Sequence, residues 1–164
     1  VNAQFERDAA IRHIITTIVV RSSPDDPYTN ATNAELLLTE FRDYWRPRPE
    51  RRDIAQLFTG RSLAGSTIGI AWVGFICSTG FGYSLVEGYC SQCSNFACST
   101  DLSAHELGHN WDALHCGDEG PGLGGARADG LLTLMNGTDA HSGGAEDSVT
   151  AKDAANLAAY LASV

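Results

Sequence analysis

Apolar side chains recur at near-helical spacing in several segments of the chain. In residues 33–45 they predict a helix, with Thr32 or Asn33 as its N-cap. Residues 99–111 predict another helix, and residues 150–163 an amphipathic helix that closes the chain. Residues 1–8 and 53–58 predict shorter helical pieces.

Three other segments have the composition of strands. Residues 11–21 (IRHIITTIVVR) are rich in β-branched side chains and predict a strand, and residues 66–73 (STIGIAWV) predict a buried one. Residues 82–87 (GYSLVE) predict a shorter, more polar strand near a sheet edge. Strands in the first half and middle, with helices between them and at the end, predict an α/β or α+β fold.

The charge and length of the chain restrict its class. The formal net charge is −9 at pH 7, and because an acidic surface repels phosphate backbones, nucleic acid is not an expected partner. The 164 residues, 43% of them hydrophobic, fit one domain over residues 1–164, and no apolar run is long enough to span a membrane. The chain starts at Val1 without a signal-peptide pattern, so a trimmed fragment of a longer precursor is expected.

Five cysteines point to an oxidising compartment. They stand at positions 77, 90, 93, 98 and 116, and this density predicts a secreted protein with local disulfides. Cys90 and Cys93 also have the spacing of a zinc knuckle or a redox pair, but no second such pair completes a four-ligand site. The odd number means that at least one thiol is free or pairs outside this chain.

The segment that carries chemistry is HELGHNWDALH, residues 105–115. On a helix, His105 and His109 are one turn apart and can bind the same zinc ion at about 2.0–2.1 Å. Glu106 follows the first ligand, and its carboxylate can reach a metal-activated water as general base.

His115 is the candidate for the third ligand. Six residues of continuous helix would rotate it by about 600° and raise it by roughly 9 Å relative to His109. The chain must therefore leave the helix and turn back between the two residues. Asp112 lies midway, and Asp is among the residues that most readily adopt positive φ after Gly.

The segment resembles the metzincin signature H-E-x-x-H-x-x-G-x-x-H, with Asp112 in place of the usual Gly. Within the metzincins, the chain is most similar to the adamalysin/reprolysin-like zinc peptidases, particularly their bacterial relatives. The similarity extends over about residues 1–135. It includes FERD, IRHIITTIVVR, LLLTEFRDYW and GRSLAGSTIGIAWVGFICS, upstream of the zinc motif.

The resemblance implies a metzincin-like catalytic domain with a twisted mixed sheet, an active-site helix and a C-terminal helix. It implies zinc ligands at His105, His109 and His115, the base at Glu106, and a Met-turn beneath the zinc at Met135. It places the strand around Gly82, Tyr83, Ser84 and Leu85 along the substrate cleft, where a peptide would pair with its edge. The family's first strand would precede Val1, so the sheet of this chain is expected to lack it.

These features together predict a secreted zinc metalloendopeptidase that acts on protein or peptide substrates. One alternative is a catalytically silent zinc domain that binds partners. Another takes the third zinc ligand from a carboxylate on a later helix, as gluzincins do. A third is a disulfide-stabilised interaction module with incidental metal. The sequence leaves the oligomeric state open.

Overall fold

The structure, a computed structural model, describes residues 1–23, 25–29, 31–88 and 96–115, except for the side chains of residues 96–98. Along this part of the chain, two helices are followed by three strands and a third helix. The helices are α1 (Asn2–Ala9), α2 (Ala34–Trp45) and α3 (Phe96–Asn110), and the strands are β1 (Ala55–Thr59), β2 (Gly69–Ala71) and β3 (Tyr83–Glu87).

The three strands form one mixed sheet in the order β1-β3-β2. β1 is parallel to β3 over five residues, from Ala55 beside Tyr83 to Thr59 beside Glu87. β2 is antiparallel to β3, with Gly69 beside Val86. This small mixed sheet with flanking helices is the predicted α+β, metzincin-like architecture.

Helices cover both faces of the sheet. Successive side chains of β3 point to opposite faces, so this strand contacts a helix on each side. Tyr83 and Leu85 pack with Leu38 and Phe41 of α2 in one apolar cluster. Ser84 points the other way, toward α3, where Gln56 bridges its hydroxyl and the carbonyl of Ser103 with hydrogen bonds of 3.2 Å. A second apolar cluster, formed by Phe5, Ala9, Ile11, Ala104 and Leu107, joins α1 to α3.

Helix α2 confirms the periodicity of residues 33–45. Asn33 is the N-cap, with an extended backbone, and its side-chain oxygen accepts a hydrogen bond from the Leu36 amide at 2.8 Å. Leu37, Leu38 and Phe41 are almost completely buried, so the apolar stripe of this helix faces the sheet. The helix predicted for residues 1–8 is confirmed as α1.

The strand predicted for residues 11–21 is wrong. The segment is irregular, and four of its aliphatic side chains are between 74% and 82% exposed: Ile14, Ile15, Ile18 and Val20. β-Branched residues favour strands because they pack well on a paired sheet. No strand of the described residues pairs with this segment, so its strand-favouring composition is not sufficient to make it a strand.

The secondary structure of residues 53–58 and the position of β3 also differ from the predictions. The predicted helical turn is strand β1, because parallel pairing with β3 outweighs the local preference. β3 is the central strand, not an edge strand. Its polar side chains are satisfied internally: Ser84 bonds to Gln56, and Glu87 accepts a hydrogen bond from the Leu63 amide at 2.6 Å.

Two predicted elements have different lengths. The strand predicted for residues 66–73 is shorter, and α3 begins three residues before the predicted start. The helix predicted for residues 150–163 and the disulfides expected around Cys90, Cys93 and Cys98 lie outside the described residues and side chains. Within the described ranges, no helix combines the length and apolar character needed to cross a bilayer.

Candidate metal centre

Helix α3 presents the first two histidines of the motif on one face. The rings of His105 and His109 lie one turn apart, with their centroids separated by 4.8 Å. Both residues are buried, and so is Glu106 between them. A helix packed against β2 and β3 therefore holds three polar side chains inside the protein, an arrangement that is costly unless they bind something or one another.

The end of α3 turns the chain back toward these histidines. Asp112 has a φ of 71°. The amide of Ala113 donates to the Gly108 carbonyl and the amide of Asp112 to the His109 carbonyl, both at 3.0 Å. This pair of bonds around a left-handed residue is a Schellman motif, which ends a helix and reverses the chain. The predicted reversal at Asp112 is confirmed, with Asp in a position where Gly is the commonest residue.

The reversal brings His115 to the other two imidazoles. Its Nε2 lies 3.1 Å from the Nε2 of His105, and its ring centroid is 4.7 Å from that of His109. The nitrogen atoms that could bind a metal all lie within 4.8 Å of one another. Two nitrogens on one tetrahedral zinc ion are separated by about 3.3 Å, given bonds of about 2.0–2.1 Å. The 3.1 Å separation would also suit a hydrogen bond between two rings, so the convergence of all three rings is the feature that fits a zinc ion.

The orientation of the His109 ring also fits a metal. Its Nδ1 lies 2.8 Å from the carbonyl oxygen of Ala113, within the reversed segment. A carbonyl oxygen can only accept, so Nδ1 carries the proton and donates it there. Nε2 is then the unprotonated nitrogen, which is the tautomer that binds a divalent cation.

Glu106 follows His105 on α3 and is buried. Its residue is 4% exposed, and no hydrogen-bond partner of its Oε2 is found among the described residues. Burial raises the pKa of Glu106 to about 8, because low-dielectric surroundings disfavour the charged carboxylate. A divalent cation on the neighbouring imidazoles would favour the carboxylate and lower this pKa.

The loop after β2 fixes the end of α3. The amide of Gly74 donates to the His109 carbonyl at 2.9 Å, and the amide of Ile76 donates to the Asn110 carbonyl at 3.1 Å. Gly74 has a φ of 76°, and a Cβ there would lie 2.8 Å from Oδ1 of Asp112. The loop thus donates hydrogen bonds to two of the carbonyls at the helix end, which have no partner within the helix. This contact joins segments more than thirty residues apart, so local sequence patterns do not predict it.

The family model described as metallo-peptidase family M12 (Reprolysin_5) matches residues 1–145. The chain belongs to metallo-peptidase family M12.

The chain is similar to several zinc metalloproteinases whose names include disintegrin or disintegrin-like. It is 35% identical over 98 residues to the zinc metalloproteinase-disintegrin-like atrase-B of Naja atra, covering 57% of this chain and 16% of that protein. It is 39% identical over 93 residues to atrase-A of the same species, covering 55% and 14%. A zinc metalloproteinase/disintegrin of Bitis gabonica is 30% identical over 114 residues, covering 68% of this chain and 34% of the relative. The chain thus matches about a third or less of the length of these relatives.

The M12 chain is a reprolysin-like metzincin domain, as its zinc motif predicted. The structure brings together the three predicted ligand residues, His105, His109 and His115, and buries Glu106, which follows His105 on α3. Met135 lies outside the described residues.

The predicted cleft residues require a correction. Tyr83, Ser84 and Leu85 are 0% exposed, and both edges of β3 are paired by β1 and β2. A Cβ on Gly82 would lie 2.8 Å from the carbonyl oxygens of Asp53 and Ser78, so this glycine allows close backbone packing. β3 therefore has no free edge for a peptide, whereas the outer edge of β2 is not paired by any described strand.

Proposed function

We propose that this chain is a zinc-dependent endopeptidase domain in which Glu106 acts as general base. The observation that carries the proposal is the convergence of three imidazoles, two of them on the helix that also holds the buried Glu106. A purely structural zinc site would close its coordination with a fourth protein ligand, whereas a catalytic site has three and keeps one position open. The three clustered histidines match the number of protein ligands in a catalytic site.

His105, His109 and His115 would hold the metal. Bound there, zinc supplies Lewis acidity, which lowers the pKa of a water molecule and polarises a peptide carbonyl. The hydrogen bond from His109 Nδ1 to Ala113 keeps that ring in the metal-binding tautomer. It also ties the second histidine to the segment that carries the third, so the reversed chain and the helix hold the ligands as one unit.

Glu106 would accept the proton of the attacking water. The Glu106 side chain is shielded from bulk solvent, so few hydrogen bonds with other groups compete with proton transfer. With its pKa raised by burial and lowered again by a bound cation, the group can hold a proton transiently and pass it to the leaving amine.

The outer edge of β2 is the place for a substrate backbone. Gly69 of β2 lies against the Glu106 carboxylate, so this strand borders the reacting groups. An extended peptide can add to an open strand edge through main-chain hydrogen bonds. Met135 would contribute the hydrophobic base of the zinc site, and residues 1–164 would form a single catalytic domain acting outside the cell on proteins or peptides.

A peptide-library digestion tests the proposal. The chain is loaded with one equivalent of zinc, its metal content is measured, and cleavage is followed by mass spectrometry with and without a zinc chelator. Cleavage inside peptides that stops with the chelator and returns with zinc is the expected result. One bound zinc per chain without cleavage would overturn the proposal in favour of a catalytically silent zinc-binding domain. Metal content near zero would favour the interaction module.

A further inference from the structure

Gly69 of β2 faces the carboxylate of Glu106 at very short range. A Cβ built on Gly69 would lie 2.5 Å from Glu106 Oε1 and 2.9 Å from its Cδ and Cγ. Carbon and oxygen atoms that are not bonded do not approach so closely, since their van der Waals contact begins well beyond 3 Å. The space that a methyl group would fill at Gly69 is therefore already filled by Glu106.

Backbone conformation does not explain the glycine. Gly65 and Gly74 have φ values of 77° and 76°, in the left-handed region that favours glycine, but Gly69 does not. Glycine inside a strand otherwise weakens it, by roughly 0.5–1 kcal/mol relative to Ala. Glycine in a strand often marks a place where another group comes close. At Gly69, the first residue of β2, that group is the Glu106 side chain.

Neither partner can retreat without changing the site. Gly69 is in register with Val86 of the central strand, and the adjacent Ile68 carbonyl accepts a hydrogen bond from the Glu87 amide at 2.8 Å. Glu106 lies on α3 between two of the clustered histidines. Because its Cγ is within the short range as well as its oxygen, a methyl group at Gly69 would force the whole carboxylate arm into another rotamer.

We propose that Gly69 is a positioning residue for Glu106: its missing side chain forms the cradle that keeps the carboxylate beside the three histidines. The catalytic consequence rests on the proposed peptidase function, but the steric relationship does not. Glycine at this position sets where the base stands, while the histidines alone set where the metal binds.

A thermal-stability cycle on the metal-free protein tests the steric relationship. Gly69→Ala is expected to lower Tm by about 3–8 °C, since overpacking a buried contact is destabilising. In a Glu106→Ala background the same change should leave Tm within about 2 °C or raise it, because Ala suits a strand better than Gly. Gly60→Ala is the matched control: a Cβ there meets nothing within 4 Å, so its shift should be the same in both backgrounds.

Kinetics of the zinc-loaded protein test the positioning role. Gly69→Ala should bind zinc as the parent does, keep KM within about threefold and lose about 30-fold or more in kcat, within the range of general-base contributions. A Glu106→Asp background withdraws the carboxylate by one methylene. In that background Gly69→Ala should lower kcat by less than about threefold, because the effects of substitutions at residues that act as a unit are not additive.

Three results would overturn the inference. Equal Tm shifts from Gly69→Ala with and without the Glu106 side chain would show that the two residues do not interact. Unchanged kcat, or an equal loss in the Glu106→Asp background, would remove the positioning role. If the parent itself cleaves nothing, the proposed function fails separately. Crystals of Gly69→Ala then decide this inference, with a displaced Glu106 carboxylate supporting it and an unmoved one contradicting it.

Discussion

The side-chain amide of Asn110 donates a hydrogen bond of 2.9 Å to the carbonyl oxygen of Trp72. The same nitrogen lies 3.1 Å from the carbonyl of Tyr83, and Asn110 is completely buried. The last residue of α3 is therefore bonded to the backbone just beyond β2 and to the first residue of β3. This contact sets the angle between the helix that carries two histidines and the strand that borders the site.

Replacing Asn110 should be costly. Asn110→Ala removes the side-chain donor of the Trp72 carbonyl and one of the two donors of the Tyr83 carbonyl, and it empties a buried position. We expect the free energy of unfolding to fall by about 2–4 kcal/mol. Urea denaturation of the metal-free protein measures it. Asn33→Ala, the same change at the exposed N-cap of α2, should cost only about 1 kcal/mol. Equal losses at the two positions would show that the Asn110 contact adds nothing to the helix–sheet packing.

Glu106→Gln should separate metal binding from hydrolysis. The amide has nearly the same shape but cannot accept a proton from water, so kcat should fall by about 100-fold or more while zinc content stays at the parent's level. Elemental analysis and a fluorogenic peptide derived from the library digestion provide the two measurements. Hydrolysis at the parental rate would remove Glu106 from the role of base.

His115→Ala should weaken zinc binding without unfolding the chain. His115 is exposed and belongs to neither apolar cluster, so the Tm of the metal-free protein should change little. Loss of one of three ligands should reduce zinc affinity by at least about 100-fold, measured by competition with a chromogenic chelator. Parental affinity in this variant would mean that a group other than His115, such as a carboxylate, is the third ligand.

The left-handed backbone at Asp112 predicts a contrast between two substitutions. Asn tolerates a φ of 71°, whereas a β-branched residue does not. Asp112→Asn should keep both stability and zinc affinity near parental values. Asp112→Val should lose about 1–2 kcal/mol of unfolding free energy and weaken zinc binding, because the segment carrying His115 is displaced. Chelator competition and urea denaturation of both variants check this, and similar behaviour of the two would contradict it.

His13 should make stability depend on pH. The indole Nε1 of Trp111 donates to His13 Nε2 at 3.0 Å, and burial lowers the pKa of His13 below its ordinary value. The unfolded chain, with a His pKa of about 6.5, therefore takes up the proton first as the pH falls. The contribution of His13 is complete above about pH 6.5 and is lost as the pH drops through the lower, folded-state pKa.

A His13→Gln variant isolates this effect. Its amide oxygen can still accept from Trp111 but does not titrate, while every other ionisable group is retained. The urea midpoints of the metal-free parent should fall more between pH 7.5 and 5.5 than those of the variant. Parallel pH profiles would show that the His13–Trp111 contact is not linked to protonation.

The parts of the site that depend on local geometry could be predicted from the sequence. His105, Glu106 and His109 sit on one turn of helix, and helical spacing alone places them together. The need for a reversal before His115 followed from the same geometry, and an Asp at the midpoint indicated where it occurs. Helix α2 was predictable for similar reasons, since its stripe of apolar residues and its Asn33 cap are both local features.

The positions of the strands depend on contacts between segments that are distant in the chain. Residues 11–21 have strand composition but no described partner, and residues 55–59 are a strand because β3 lies beside them. The polar residues of β3 suggested an edge strand. In the folded chain Ser84 and Glu87 form hydrogen bonds with the distant residues Gln56 and Leu63, so they are accommodated in a central strand. The residues that could bind zinc and activate water are evident from sequence, whereas the contact of Gly69 with Glu106 depends on how β2 lies against α3. Helices form from contacts within a few residues, while a strand acquires its hydrogen bonds, and a site its walls, from segments far away in the chain.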